Sequence, residues 1–170
     1  MDIKTRFMVQ AAFLAAIYVA LTVAFAPISY GPVQVRISEM LTVLPFFTPA
    51  AIPGLFIGAV IANAYGGLGI IDMVVGSSAT LVAALLTCKV RKKALAPLPP
   101  VLVNAVIIGA MLTYLFQLPL VPTMIYVGLG QTVACYGLGY PFMLAIEKYG
   151  NDFFYSGKIK GFTEDGSNAS

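Results

Sequence analysis

The chain alternates long apolar runs with short breaks rich in Pro, Gly or charge. Apolar stretches recur from Phe7 almost to Ile146, and a membrane-crossing helix needs about 20 such residues. Six runs fit, at about 7–26, a short one at 37–48, then 50–65, 71–88, 97–117 and 122–146. The breaks are Pro27 with Gly31-Pro32, Thr48-Pro49, Gly66-Gly67-Leu68-Gly69, Lys89 to Lys93, and Leu118-Pro119 with Pro122. The second run, closed by Pro45 and Pro49, is too short to cross an average bilayer upright, which predicts a broken or half-buried helix packed among the others. The pattern predicts an all-α integral membrane protein, a six-helix transmembrane bundle with a short second helix. Residues 1–155 form one domain without repeats, and the polar, Gly/Ser-rich stretch 156–170 reads as a disordered tail.

Composition agrees: 59% of the 170 residues are hydrophobic and only 10% charged, with a mean hydropathy of +0.90. That is far more apolar sequence than one soluble core needs. Lys4 and Arg6 precede the first run, but the run extends to Ala26, too long for a signal-peptide core, so it is expected to be retained as a helix. Cys88 and Cys135 sit inside apolar runs without CxxC spacing and read as small core residues, not a disulfide or a metal knuckle.

Charge sets the expected orientation. Lys4 and Arg6, the cluster Lys89, Arg91, Lys92 and Lys93, and the later Lys148, Lys158 and Lys160 fall on one side of a six-span threading, as the positive-inside rule requires of a cytoplasmic face. Both termini are therefore expected in the cytoplasm. The opposite face holds the Pro27–Val35 loop, the GGLG loop and the Leu118–Val121 turn, and its only charges are Arg36, Glu39 and Asp72.

An ionisable side chain in a spanning segment costs at least ~2.5 kcal/mol near the bilayer centre, so it usually faces a bundle interior or wet cavity and has a partner. Arg36 and Glu39, three residues apart on one helix face, are placed to neutralise each other as a structural pair. Asp72 leads the fourth run, where a carboxylate suits the helix dipole as an ordinary cap. Three charges at one mouth instead favour a polar pocket. Tyr30, Gln34, Asn63, Tyr65, Gln117 and Tyr126 map to the same outer third, and convergent polar groups with aromatic walls are what a small-molecule site contains. Singly, the tyrosines fit an interfacial belt and an Asn fits interhelical bonding. Asn104 and Gln131 thread deeper and read as interhelical glue.

Several chemistries are excluded. The chain contains no His, which removes His triads, His metal sites and HExxH proteases. One carboxylate in each candidate segment makes no intramembrane aspartyl dyad. No GxxxxGK[ST] occurs, and Gly67, Gly69, Gly128 and Gly130 do not complete GxGxxG. No catalytic site, metal, cofactor or nucleic-acid partner is expected, and ATP-driven uptake would need a motor on other chains. In the first run Ala12, Ala16 and Ala20 recur every four residues beside Ala11 and Ala15, a small-residue strip that lets another helix approach, whether within the bundle or from a partner.

YGPVQVRISE, the following TVLPFF, AIPGLFIGAVIAN and GGLGIIDMVVGSSATLVAALL resemble the queuosine-precursor transporter type of S component, the substrate-binding subunit of energy-coupling factor (ECF) transporters. The similarity covers roughly residues 5–150, with the most specific motifs between 30 and 85. It implies a six-helix substrate-binding bundle with both termini cytoplasmic and cargo captured from outside under the loop after the first helix. It also implies a transmembrane coupling protein and two cytoplasmic ATPase subunits as partners, with Ala12, Ala16 and Ala20 contacting the coupling protein. The family's helices are more regular than the short second run, and the tail after Tyr155 has no counterpart.

A 7-deazaguanine cargo, such as 7-aminomethyl-7-deazaguanine or queuine, suits these residues. Its N1–H and exocyclic amine form a donor edge for a carboxylate, its carbonyl wants a donor, and its flat ring wants an apolar or aromatic slot. Glu39 or Asp72 reads the donor edge and the other suits an aminomethyl cation, Asn63 or Gln117 donates to the carbonyl, and Arg36 orients Glu39; spacing leaves these roles interchangeable. The alternatives are another vitamin-like heterocycle or a stand-alone ion-coupled carrier. Against the latter, no charge lies between Asp72 and Lys89 or between Lys93 and Glu147 to relay protons.

Overall fold

The structure is a computed structural model, and it describes residues 2–30 and 36–149. Among these it is entirely helical, with seven α-helices, two 3-10 stretches and one π-helical stretch. Helix α1 (Ile3–Ala24) is rich in Ala, stops just before Pro27, and is followed by the one-turn α2 (Ala26–Ser29). A 3-10 segment, Ile37–Phe46, leads into α3 (Ala51–Gly66). Gly67 ends α3 in the left-handed conformation (φ 73°), which a side chain would strain. Helix α4 (Ile70–Lys89) and a short 3-10 turn (Lys93–Leu95) precede α5 (Leu98–Phe116), whose first turn takes Pro99 because the amide missing from proline is unpaired there anyway. Helix α6 (Leu120–Thr132) runs through the π-helical Val133–Gly139 into α7 (Tyr140–Tyr149), so the predicted run 122–146 is one helical path whose geometry changes from α to π and back.

Among the described residues three helical stretches are long and apolar enough to cross a membrane: Ile3–Ala24, Ile70–Lys89 and Lys93–Phe116. The predicted second helix at 37–48 is the 3-10 segment, and it is buried on nearly every side rather than half-buried. Its geometry compensates for its length. At about 2.0 Å per residue a 3-10 helix advances further than an α-helix at 1.5 Å, and its side chains eclipse every third residue. Ser38, Leu41, Leu44 and Phe47 thus form one edge, and Glu39, Thr42 and Pro45 another.

Around this segment α1 packs on α3, α3 on α4, α4 on α5 and α5 on α6, while the segment touches α1, α3, α4, α5, α7 and the π stretch. Leu14, Tyr18, Leu41, Leu44, Phe47, Leu55 and Met143 form the larger apolar cluster. Where lipid is as apolar as leucine, close backbone approach replaces the hydrophobic effect as the packing force. A side-chain carbon at Gly54 would lie 2.6 Å from the Ala11 carbonyl oxygen, and one at Gly58 would lie 3.1 Å from that of Ala15. The α1 residues taken into the bundle are therefore Ala11 and Ala15, whereas Ala12, Ala16 and Ala20 face outward and are exposed.

Candidate functional site

The site is assembled from side chains one helical turn apart on neighbouring helices. On α4 the stripe Asp72, Gly76, Thr80 faces inward, on α5 Asn104 and Ile108, and on α6 Val127 and Gln131. The start of the 3-10 segment supplies Arg36 and Glu39. A cavity of about 10 Å³ lies between these elements, lined by Arg36, Glu39, Gly76 and Thr80 on one side and by Asn104, Ile108, Val127 and Gln131 on the other. That volume admits about one water molecule.

Glu39 is 2% exposed and Arg36 5%, and Asp72 is fully buried. The expected Arg36–Glu39 pairing does not form among the described residues; Arg36 reaches across the bundle instead. Its Nη2 pairs with Asp72 Oδ2 at 3.5 Å and its Nη1 donates to Asn63 Oδ1 at 2.6 Å. Its Nε donates to the Ser29 carbonyl at 3.4 Å, and its guanidinium lies 5.6 Å from the centre of the Tyr30 ring, a cation–π distance. Asn63 Nδ2 donates in turn to the Asp72 carbonyl at 3.2 Å. Gly76 permits this crowding, since a side-chain carbon there would sit 2.7 Å from Asn63 Nδ2 and 3.1 Å from Asp72 Oδ1. Among the described residues Asp72 Oδ1 has no hydrogen-bond partner.

Glu39 is held separately. Tyr18 Oη, from the inner face of α1, donates to Oε1 at 2.5 Å, and Asn104 Nδ2 donates to Oε2 at 3.2 Å. One turn along α1, Thr22 Oγ1 lies 2.7 Å from Ser38 Oγ, fixing the segment beside Glu39. Thr42 and Cys135 pack behind it, with Cys135 Sγ donating to the Glu39 carbonyl at 3.6 Å.

The residues named from sequence divide into two groups. Arg36, Glu39, Asn63, Asp72 and Tyr30 converge; the Tyr30 hydroxyl donates to the Ala62 carbonyl at 2.6 Å, and desolvation raises its pKa above the usual tyrosine value, keeping it a neutral donor. Tyr65, Gln117 and Tyr126 point out of the bundle, Tyr65 65% and Tyr126 58% exposed. Gln117 ends α5 in the left-handed conformation and donates from Nε2 to the Tyr114 carbonyl. Gln34 lies outside the described residues. Sequence reasoning missed Tyr18, Gly76 and Thr80; Asn104 bonds between helices as expected, through Glu39, and both it and Gln131 also line the cavity. Each is an isolated amide in an apolar helix, a pattern that fits interhelical bonding and a cavity wall equally well.

The fold and this site define a polytopic membrane protein whose helices enclose a small cavity lined in part by buried charged side chains. The QueT transporter family model matches residues 8–148, most of the chain, and the chain belongs to that family. It is a multi-pass protein of the cell membrane. A curated relative, the Queuosine precursor transporter QueT of Lactococcus lactis subsp. cremoris (strain MG1363), is 42% identical over 81 residues, which make up 46% of this chain and 47% of that protein. The match therefore spans about half the length of that relative. No solved structure matches the chain significantly. The family indicated by the motifs between residues 30 and 85 is thus the one found.

Removing the hydroxyl of Tyr18 tests the Glu39 support. Tyr18→Phe keeps the packing but withdraws a donor from a buried carboxylate, which is expected to cost ~1–3 kcal/mol of stability. In a Glu39→Gln background the same change is expected to cost much less, because the charge it serves is gone. Thermal melts of the four proteins in one detergent measure the coupling, and equal costs in both backgrounds would contradict the assignment.

Proposed function

We propose that this chain is the substrate-capturing S component of an ATP-driven ECF importer whose cargo is a queuosine precursor of the 7-deazaguanine type. The observation that carries the proposal is Glu39, a buried carboxylate on the cavity wall held in place by donors from two other helices. A carboxylate so placed accepts a paired donor edge or a cation, while Arg36 and the amide of Gln131 offer donors to a ring carbonyl. The name of the Lactococcus relative supports the cargo class. Binding widens the cavity from its present one-water volume.

The proposal includes six crossings with both termini cytoplasmic. Lys93 pairs with Glu147 and Tyr136 Oη donates to the Ala94 carbonyl, bringing the Lys89–Lys93 cluster beside the end of α7. Gln10, near the start of α1, meets Thr48 across from it. This gathers the basic positions at one end, in keeping with the positive-inside rule. Energy comes from partners, a transmembrane coupling protein and two cytoplasmic ATPases. Ala12, Ala16 and Ala20 form the docking strip, which their outward placement favours over packing within the bundle.

Calorimetric titration with 7-aminomethyl-7-deazaguanine tests the site. Glu39→Gln and Asp72→Asn are each expected to weaken binding by roughly 2–5 kcal/mol without unfolding the bundle, since the first withdraws the charge offered to the cargo and the second leaves the buried Arg36 unmatched. Parent-like binding by both variants would remove the cargo from this cavity.

Docking is tested separately by placing Leu at both Ala12 and Ala16. The bulk is expected to abolish copurification with the coupling protein while leaving ligand titration unchanged, because the strip and the cavity lie on opposite faces of α1. Loss of binding together with assembly would place the strip's role inside the bundle.

A further inference from the structure

We propose that the cavity selects a positively charged ligand, and that Glu39 is the residue that enforces the choice. The inference rests on the cavity being the cargo site and goes beyond it, dividing roles that sequence spacing left interchangeable.

Between residues 7 and 88 the chain carries only three charges, Arg36, Glu39 and Asp72, one cation against two anions. The stretch 31–35, Gly-Pro-Val-Gln-Val, adds none. The single cation is committed to Asp72, its ion-pair partner, and to Asn63. Glu39 receives only neutral donors, the Tyr18 hydroxyl and the Asn104 amide, and no ion pair reaches it among the described residues. Neutral donors fix the direction of a carboxylate without cancelling its charge, and Arg36, which shares the cavity wall with Glu39, is one cation between two carboxylates, so the cluster keeps a net negative charge that is costly inside a membrane bundle.

The cavity wall contains Glu39 and does not contain Asp72. Each Glu39 oxygen has a further acceptor site beyond the bond it already takes. A ligand cation entering the cavity therefore meets an oriented carboxylate with capacity to spare and neutralises it. A neutral ligand of the same shape leaves the charge as it was. Asp72 acts at one remove, as the positioning residue that holds the guanidinium against the cavity. Arg36, Thr80 and Gln131 then read the uncharged ring, and Glu39 takes the ammonium.

The test compares 7-aminomethyl-7-deazaguanine, a cation, with 7-cyano-7-deazaguanine, its uncharged counterpart on the same bicycle, by titration of the full chain in lipid nanodiscs. The parent is expected to prefer the cation by at least ~30-fold, equivalent to about 2 kcal/mol. Glu39→Gln is expected to lose that preference while still binding the nitrile. Equal affinity of the parent for the two compounds, or a Glu39→Gln variant that weakens both alike, overturns the proposal. If the parent binds neither compound, the 7-deazaguanine cargo is wrong and the charge rule is judged by the melting temperature of ligand-free protein. Glu39→Gln removes the uncancelled charge, and rotating the Asn104 amide preserves its hydrogen bonds, so it is expected to melt at or above the parent. Melting below the parent shows a carboxylate already satisfied by the protein and overturns the rule.

Discussion

A guanidinium and two carboxylates inside a lipid-embedded bundle each carry a desolvation cost of order several kcal/mol, so the elements around them are arranged to supply partners. Arg36 takes Asp72 and Asn63 from two helices that pack on each other. Glu39 takes Tyr18 from α1 and Asn104 from α5. One short segment thus ties four helices together through polar contacts. This tie matters more here than in a soluble protein, because lipid supplies no water to satisfy a stray donor or acceptor. The same contacts give the bundle a charged interior that a purely structural core of this size does not require.

The geometry of the Ile37–Phe46 segment makes the arrangement possible. Ten residues of 3-10 helix reach about 20 Å, against about 15 Å for an α-helix, and the threefold eclipsing stacks Glu39, Thr42 and Pro45 along one edge, with Arg36 in extended backbone just ahead of it. Against that edge lies the π-helical Val133–Gly139, where a side-chain carbon on Gly139 would fall 3.0 Å from the Met40 carbonyl oxygen. Two stretches of non-α backbone therefore meet beside the cavity. π-helical turns in membrane and soluble helices are frequent at functional sites, and this one places Cys135 behind Glu39.

Much of this was legible in the sequence. Apolar runs broken by Pro27, Thr48-Pro49 and the GGLG loop located the helices, and the scarcity of charge singled out Arg36, Glu39 and Asp72. What sequence did not reveal was the pairing. Helical spacing puts Arg36 and Glu39 on one face and invites a local ion pair, whereas the tertiary structure offers Arg36 a longer-range carboxylate and Glu39 two neutral donors. Tyr18 carried no signal, since one tyrosine in an alanine-rich helix reads as packing. Tyr65 and Tyr126 carried a false one: they share the height of the site but point outward, and helix rotation about its axis is not readable where every face is apolar. For Ala12, Ala16 and Ala20 the outward orientation emerged only when Gly54 and Gly58 showed which neighbouring alanines the bundle had used.

The most direct measurement is a structure of the full chain with bound 7-aminomethyl-7-deazaguanine. The account predicts the ligand between α4, α5 and α6, its ammonium nitrogen within hydrogen-bond distance of a Glu39 carboxylate oxygen, and the Arg36–Asp72 pair intact beside the ring. A ligand seated near Tyr65, Gln117 and Tyr126 on the outer surface, or one inside the cavity whose ammonium meets Asp72 while Glu39 keeps only Tyr18 and Asn104, would contradict it.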